Sequence, residues 1–206
     1  MIPTAPLRVR NRLAEIILAA LEEPAARREL LALGEVDAPA PDWLEPGDLD
    51  CRPLIRQRAR SAVAALAEHP PARLRSRADV LAAAAALFDA HLYFEVHELL
   101  EPSWRQAEGG ERETLQGLIQ VAVGYQHLAN GNLAGARALL GEGCHRLSGR
   151  TLEGMDLEAF GREVARTVDR IFHLDWRTVP AFPRPESAGR AGRAPGVDVK
   201  VRKEIS

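Results

Sequence analysis

A chain of 206 residues, 46% of them hydrophobic, has enough apolar material to bury a core in one domain with extensions. Its formal charge of −2 excludes the strongly basic surface of a general nucleic-acid binder, so no nucleic-acid partner is expected. Aromatic residues are only 5%, helix-favouring Ala, Leu, Glu and Arg dominate, and no long run alternates β-branched with polar residues, which points to an all-α fold.

Val9, Leu13, Ile16, Ile17, Ala20 and Leu21 recur at helical spacing and predict an amphipathic helix over 7–22. That stretch is too short and too charged for a membrane span and lacks a small-residue cleavage site. No membrane partner is expected, and the expected compartment is the cytoplasm. Pro24 suits the first turn of a second helix that ends near Gly34. The segment EVDAPAPDWLEPGDLD (35–50) reads as an acidic, Pro-rich loop that Trp43 pins to the body. A third helix is expected over 53–69, with Leu54, Ile55, Val63 and Leu66 inward. Its arginines Arg52, Arg56, Arg58 and Arg60 form either a solvated face or an anion patch. The two cysteines, Cys51 and Cys144, make neither a disulfide framework nor a C-x-x-C motif.

The central region predicts helices over 79–88, 92–104, 112–129 and 133–147. DAH (89–91) and NGN (130–132) are turns, and EGGE (108–111) breaks the chain. Asp156 or Met155 opens a last helix with Leu157, Phe160, Val164, Val168 and Ile171 toward the core. From Arg177 the chain is rich in Pro, Gly and Arg and is expected to be disordered. The organisation expected is a helical extension over 1–75, a bundle over 76–176 and a tail over 177–206. A weak repeat at an offset of forty lays Phe88 over Leu128, His91 over Gly131, Val96 over Ala136 and Leu99 over Leu139. Gly131 stands where a helix end wants left-handed backbone, and His91 is a tolerable but poorer substitute. The architecture expected is therefore a helical bundle of stacked helix hairpins around a central helix.

Stepping about 100° per residue from Leu92 places Glu95, Glu98 and Pro102 in one arc, read as the water face. His97 and Glu101 fall inside an apolar sector between Trp104 and Phe94, and so are expected to point inward. A buried carboxylate must be neutralised, hydrogen-bonded or bound to a cation, so further polar groups are required. Gln116, Gln120 and His127 share a stripe on the next helix, bordered by Gly117 and Gly124. Glycine on an open helical face costs about 1 kcal/mol relative to Ala. The stripe is accordingly expected to face His97 and Glu101.

Three roles stay open for this cluster. They are a structural polar network, a pocket for an organic or anionic ligand, and a metal site joined by His127 or His145. Glu142-x-x-His145 has the spacing of carboxylate-bridged di-metal bundles but occurs once, so no metal or cofactor is assigned. No nucleophile elbow, phosphate-binding glycine loop or Ser–His–Asp ordering is present, and Ser103 and Cys144 read as surface or packing residues.

The stretches LFDAHLYFEVHELLEPSW and LQGLIQVAVGYQHLANGNLAGARALL resemble the family catalogued as domain of unknown function 309, through H-E-x-x-E-x-x-W and Q-G-x-I-Q. Here those motifs are His97, Glu98, Glu101 and Trp104, then Gln116, Gly117, Ile119 and Gln120, within about residues 80–147. The resemblance implies an all-α bundle with a central helix and no established activity. Two departures stand out: the family usually has Gly where His91 stands, and Pro102 lies inside the motif helix. The expected function is a non-catalytic binding or interaction module for an unknown protein or small-molecule partner. The alternative is a metal-assisted hydrolase or other enzyme using His97 and Glu101.

Overall fold

The computed structural model describes residues 5–67, 69 and 72–186. Its helices are α1 (Leu7–Ala19), α2 (Pro24–Gly34), α3 (Arg52–Leu66), α4 (Arg77–Asp89), α5 (Tyr93–Gln106), α6 (Gly109–Ala129), α7 (Leu133–Leu147) and α8 (Leu157–Asp169). The fold is all-α, as composition and periodicity require. None of the described helices is long and apolar enough to cross a membrane.

Local signals account for most boundaries. Pro24 sits in the first turn of α2, where its missing N–H costs nothing. Ser76 caps α4 by accepting from the Asp79 N–H, while the Asp79 carboxylate accepts from the Ser76 N–H. These bonds also hold the Asp79 carboxyl below the usual carboxylate range. The acidic loop after α2 folds into a 3-10 turn at Pro46–Cys51 and packs Leu44 and part of Trp43 against the core. The break before α6 is shorter than expected: Ala107 and Glu108 are extended, and the helix resumes at Gly109.

Of Arg52, Arg56, Arg58 and Arg60, three bond backbone carbonyls and Arg58 bonds Glu95. Arg52, Arg56 and Arg60 donate to the carbonyls of Ala38, Val36 and Gly34, clamping α3 to the end of α2. Arg27 does the same between helix ends, reaching Ala20, Leu66 and His69. Planar guanidinium groups with several donors suit carbonyls that a helix terminus leaves unpartnered.

The offset of forty is real at the level of single hydrogen bonds. Leu92 N–H donates to Leu87 O at 2.9 Å, and Asn132 N–H donates to His127 O at 2.9 Å. His91 bonds to Phe88 and Gly131 to Leu128 in the same way, with φ of 61° and 77°. Both turns are thus left-handed helix ends of one design. The α4–α5 and α6–α7 hairpins stack through α6, of whose 21 residues eleven are buried. α5 continues through Pro102 as a single helix.

Gly117, Gly124 and Gly143 form the seam between α6 and α7. A β-carbon on Gly124 would lie 2.7 Å from Leu140 Cγ, and one on Gly143 would lie 3.0 Å from Gly117 O. The glycines do mark a close backbone approach, but the helix that approaches is α7 and not the expected α5.

Two features went unread in the sequence. Thr151–Leu152 and Met155–Asp156 form a small antiparallel hairpin, turned by Glu153 and Gly154 at φ of 48° and 79°. Asp156 then caps α8 by accepting from Ala159 N–H. Residues 177–186, expected to be disordered, pack on the body instead. Phe182 is buried against Phe88 and Phe160, its N–H donates to Asp89 at 2.9 Å, and Arg184 pairs with the same carboxylate. A buried aromatic side chain outweighs the low apolar content of its neighbours. The expectation for 187–206 lies outside the described residues.

Gly143→Ala should destabilise the protein by about 1–3 kcal/mol, because the α6 backbone atoms Gly117 O and Val121 N, 3.0 and 3.1 Å from the added carbon, have little room to yield. Urea unfolding followed by circular dichroism measures it, and an unchanged midpoint would refute the seam.

Candidate functional site

The motif helix presents a different face from the one its wheel suggested. His97 and Glu101 are each 29% exposed at the side chain and Glu98 is 37% exposed, so all three stand on a rim. The enclosed carboxylate is Glu95, assigned above to the water face but only 1% exposed. The reason is tertiary: α1 packs on α5, and α3 sends Arg58 to Glu95, with Nη2 2.5 Å from Oε2. A single-helix wheel contains no information about a helix from forty residues away.

On that rim, ligand atoms of His97, Glu98 and Glu101 all lie within 4.8 Å of one another. His97 Nδ1 is 3.3 Å from Glu98 Oε1, and Glu101 accepts from Arg105 at 2.8 Å. His97 also meets the Phe94 ring edge-on.

The other predicted members go elsewhere. Gln120, buried as expected, donates to Glu142 at 2.7 Å and accepts from Arg146 at 3.0 Å, both on α7. His127 lies 2.8 Å from Asn132 Nδ2 and braces the α6–α7 turn. Gln116 is partly buried on α6. Trp104 carries the Arg112 guanidinium 4.1 Å above its ring, and Arg112 donates to the Trp104, Arg105 and Ala107 carbonyls at the end of α5. His145 and Glu142 line an open groove with Glu113, Arg146 and Arg150. The expected single cluster therefore divides into a His97–Glu98–Glu101 rim, an α6–α7 network and two helix-end braces.

Burial pushes the Cys144 thiol up to about 11, so almost all of it is protonated near neutrality and it is a poor nucleophile. The Tyr93 and Tyr125 phenols are driven up by burial as well. Tyr125 bonds Thr167 at 2.9 Å, whereas the buried Tyr93 hydroxyl has no hydrogen-bond partner among the described residues.

A cleft of about 370 Å³ opens beside the rim. Its walls come from α1 (Val9, Arg10, Leu13), α3 (Leu54, Arg58, Ser61), the α4–α5 turn (His91 to Phe94), the end of α6, and Trp176. It reaches Phe94 and stops short of His97. His91 stacks on Tyr93 with centroids 5.6 Å apart, and Trp176 lies 5.7 Å from His91, which gives the cleft an aromatic wall. Arg10 lies over the Phe94 ring, with Cζ 4.0 Å from the ring centre. Sequence reasoning missed Arg10, Arg58 and Trp176 as wall residues. The available signals were a Trp at the last position of the expected bundle and an Arg on the border of the apolar stripe of α1.

The family model described as Domain of unknown function (DUF309) matches residues 81–139, which hold most of α4, all of α5 and α6, and the start of α7. The resemblance read from the two motifs therefore holds for that segment. No curated protein and no solved structure matches the chain.

Replacing Arg58 with Ala strands the Glu95 carboxylate in a nearly dry site and should cost about 3 kcal/mol. The paired variant Arg58→Met with Glu95→Leu should recover much of that loss. Thermal unfolding of the three proteins decides, and a neutral Arg58→Ala would contradict a buried ion pair.

Proposed function

We propose that the protein is a non-catalytic helical binding module of the cytoplasm whose cleft between α1, α3 and the α4–α5 turn takes a small molecule. One observation carries this reading: about 370 Å³ of concave space, walled by side chains from five separate segments. That volume lies in the range of small-molecule sites, which combine apolar walls with a few placed polar groups. Val9, Leu13, Leu54, Leu92 and Trp176 supply the apolar surface, and Arg10, Arg58, Gln57, Ser61 and Asn130 supply the polar points. Arg10 and Arg58 on the wall bind and orient without exchanging protons near neutrality, and no carboxylate among the lining residues stands beside His91 to make an acid–base pair, which supports binding over catalysis.

Fragment screening by amide NMR tests the reading. Hits should shift resonances of α1, α3 and residues 90–94 together, and Ser61→Phe should abolish those shifts while the remaining spectrum is retained. Shifts confined to other surfaces, or no hits, would remove the cleft from the account.

A second reading, metal-assisted hydrolysis at His97 and Glu101, is favoured by the 4.8 Å grouping of an imidazole with two carboxylates. That donor set suits a divalent cation with positions left open for water. Titration calorimetry with Zn²⁺ and Mn²⁺ should then give one-to-one binding that His97→Ala abolishes. Heat that is unaltered in the variant would dismiss this reading.

A further inference from the structure

We propose that the occupant of the cleft is a small monoanion with a compact apolar body, a carboxylate on a medium-length hydrocarbon frame, anchored by Arg10. The inference rests on the cleft reading above and adds the ligand's chemical class.

Charge on the wall carries the argument. No Asp or Glu is among the residues that line the cleft, and its permanently charged lining groups are Arg10 and Arg58. Arg58 is already balanced, since its Nη2 holds the buried Glu95. Arg10 is not. Its neighbours on α1 both have carboxylate partners, Arg8 with Asp48 and Glu45, and Arg12 with Glu15. Arg10 makes no ion pair among the described residues and donates through Nε and Nη2 only to the neutral Asn11 side chain. The wall therefore carries one uncompensated positive charge beside apolar surface.

The posture of Arg10 sharpens the class. Contact with the Phe94 ring restrains the Arg10 side chain, so less freedom is lost when its guanidinium meets a planar two-oxygen acceptor. Carboxylate geometry matches the guanidinium edge, and hydrogen bonds between ionised partners are roughly twice as strong as neutral ones. A primary ammonium would meet like charge here. The remaining wall (Val9, Leu13, Leu54, Leu92, Trp176) offers nothing to a second ionised group, which favours a single charge with an apolar remainder. At about 370 Å³ the cleft lies within the volume range of small-molecule sites, which suits an acid of modest size such as octanoate.

The experiment titrates the full chain with octanoate, octanol and octylamine by calorimetry and amide NMR. Octanoate should bind in the cleft about tenfold more tightly than octanol, with octylamine weakest. Arg10→Gln, an exchange on a helix border that leaves the core untouched, should erase the advantage of octanoate over octanol without changing octanol itself. Equal binding of all three compounds, or octanoate binding that Arg10→Gln leaves intact, would overturn the anionic class while leaving the cleft as a binding site. Binding of none of them, with Arg10→Gln equally silent, would overturn both.

Discussion

The structure is organised around one carboxylate that has no water to dissolve in. Glu95 sits on α5 with 1% of its side chain exposed, and an unpaired charge there would cost several kcal/mol. Arg58 compensates it across a gap of thirty-seven residues in the chain. That bond holds α3 against the motif hairpin, and α1 packs in with it. The space between these three partners is the cleft. Its position therefore follows from the need to neutralise a charge, not from any local preference of the helices that wall it.

The same economy of charge recurs in the other arginines. The guanidinium groups of Arg27, Arg52, Arg56, Arg60 and Arg112 are spent on backbone carbonyls near helix ends. Such groups would otherwise need water or a dedicated cap. With so many of its cations committed internally, the chain leaves Arg10 distinctive on the cleft wall.

Around α6 a second constraint operates, through size and not charge. Gly117, Gly124 and Gly143 let α6 and α7 approach until β-carbons would collide. The tight seam directs Gln120 toward Glu142 and Arg146, away from the motif helix. On the opposite side α5 keeps His97, Glu98 and Glu101 at the rim, next to the cleft but outside it. The aromatic residues close the end of the bundle: Phe88 meets Tyr93, Tyr125, Phe160 and Phe182 within 6 Å, which brings the returning chain end into the core.

What the sequence by itself determined is the set of helices and the turns between them. A period of 3.6, a proline in a first turn, and a left-handed residue forty positions from its counterpart are properties of short stretches. They hold whatever the stretch packs against, which is why the His91 and Gly131 turns agree bond for bond. Only the tertiary structure decided which polar groups were enclosed. Glu95 and Glu98 share an arc of one helix, yet a neighbour covers the first and water reaches the second. The glycines announced a close approach without naming the partner, and Phe182 looked too isolated to pack. Burial belongs to pairs of surfaces brought together by the whole chain, and periodicity along a single helix describes one surface of each pair.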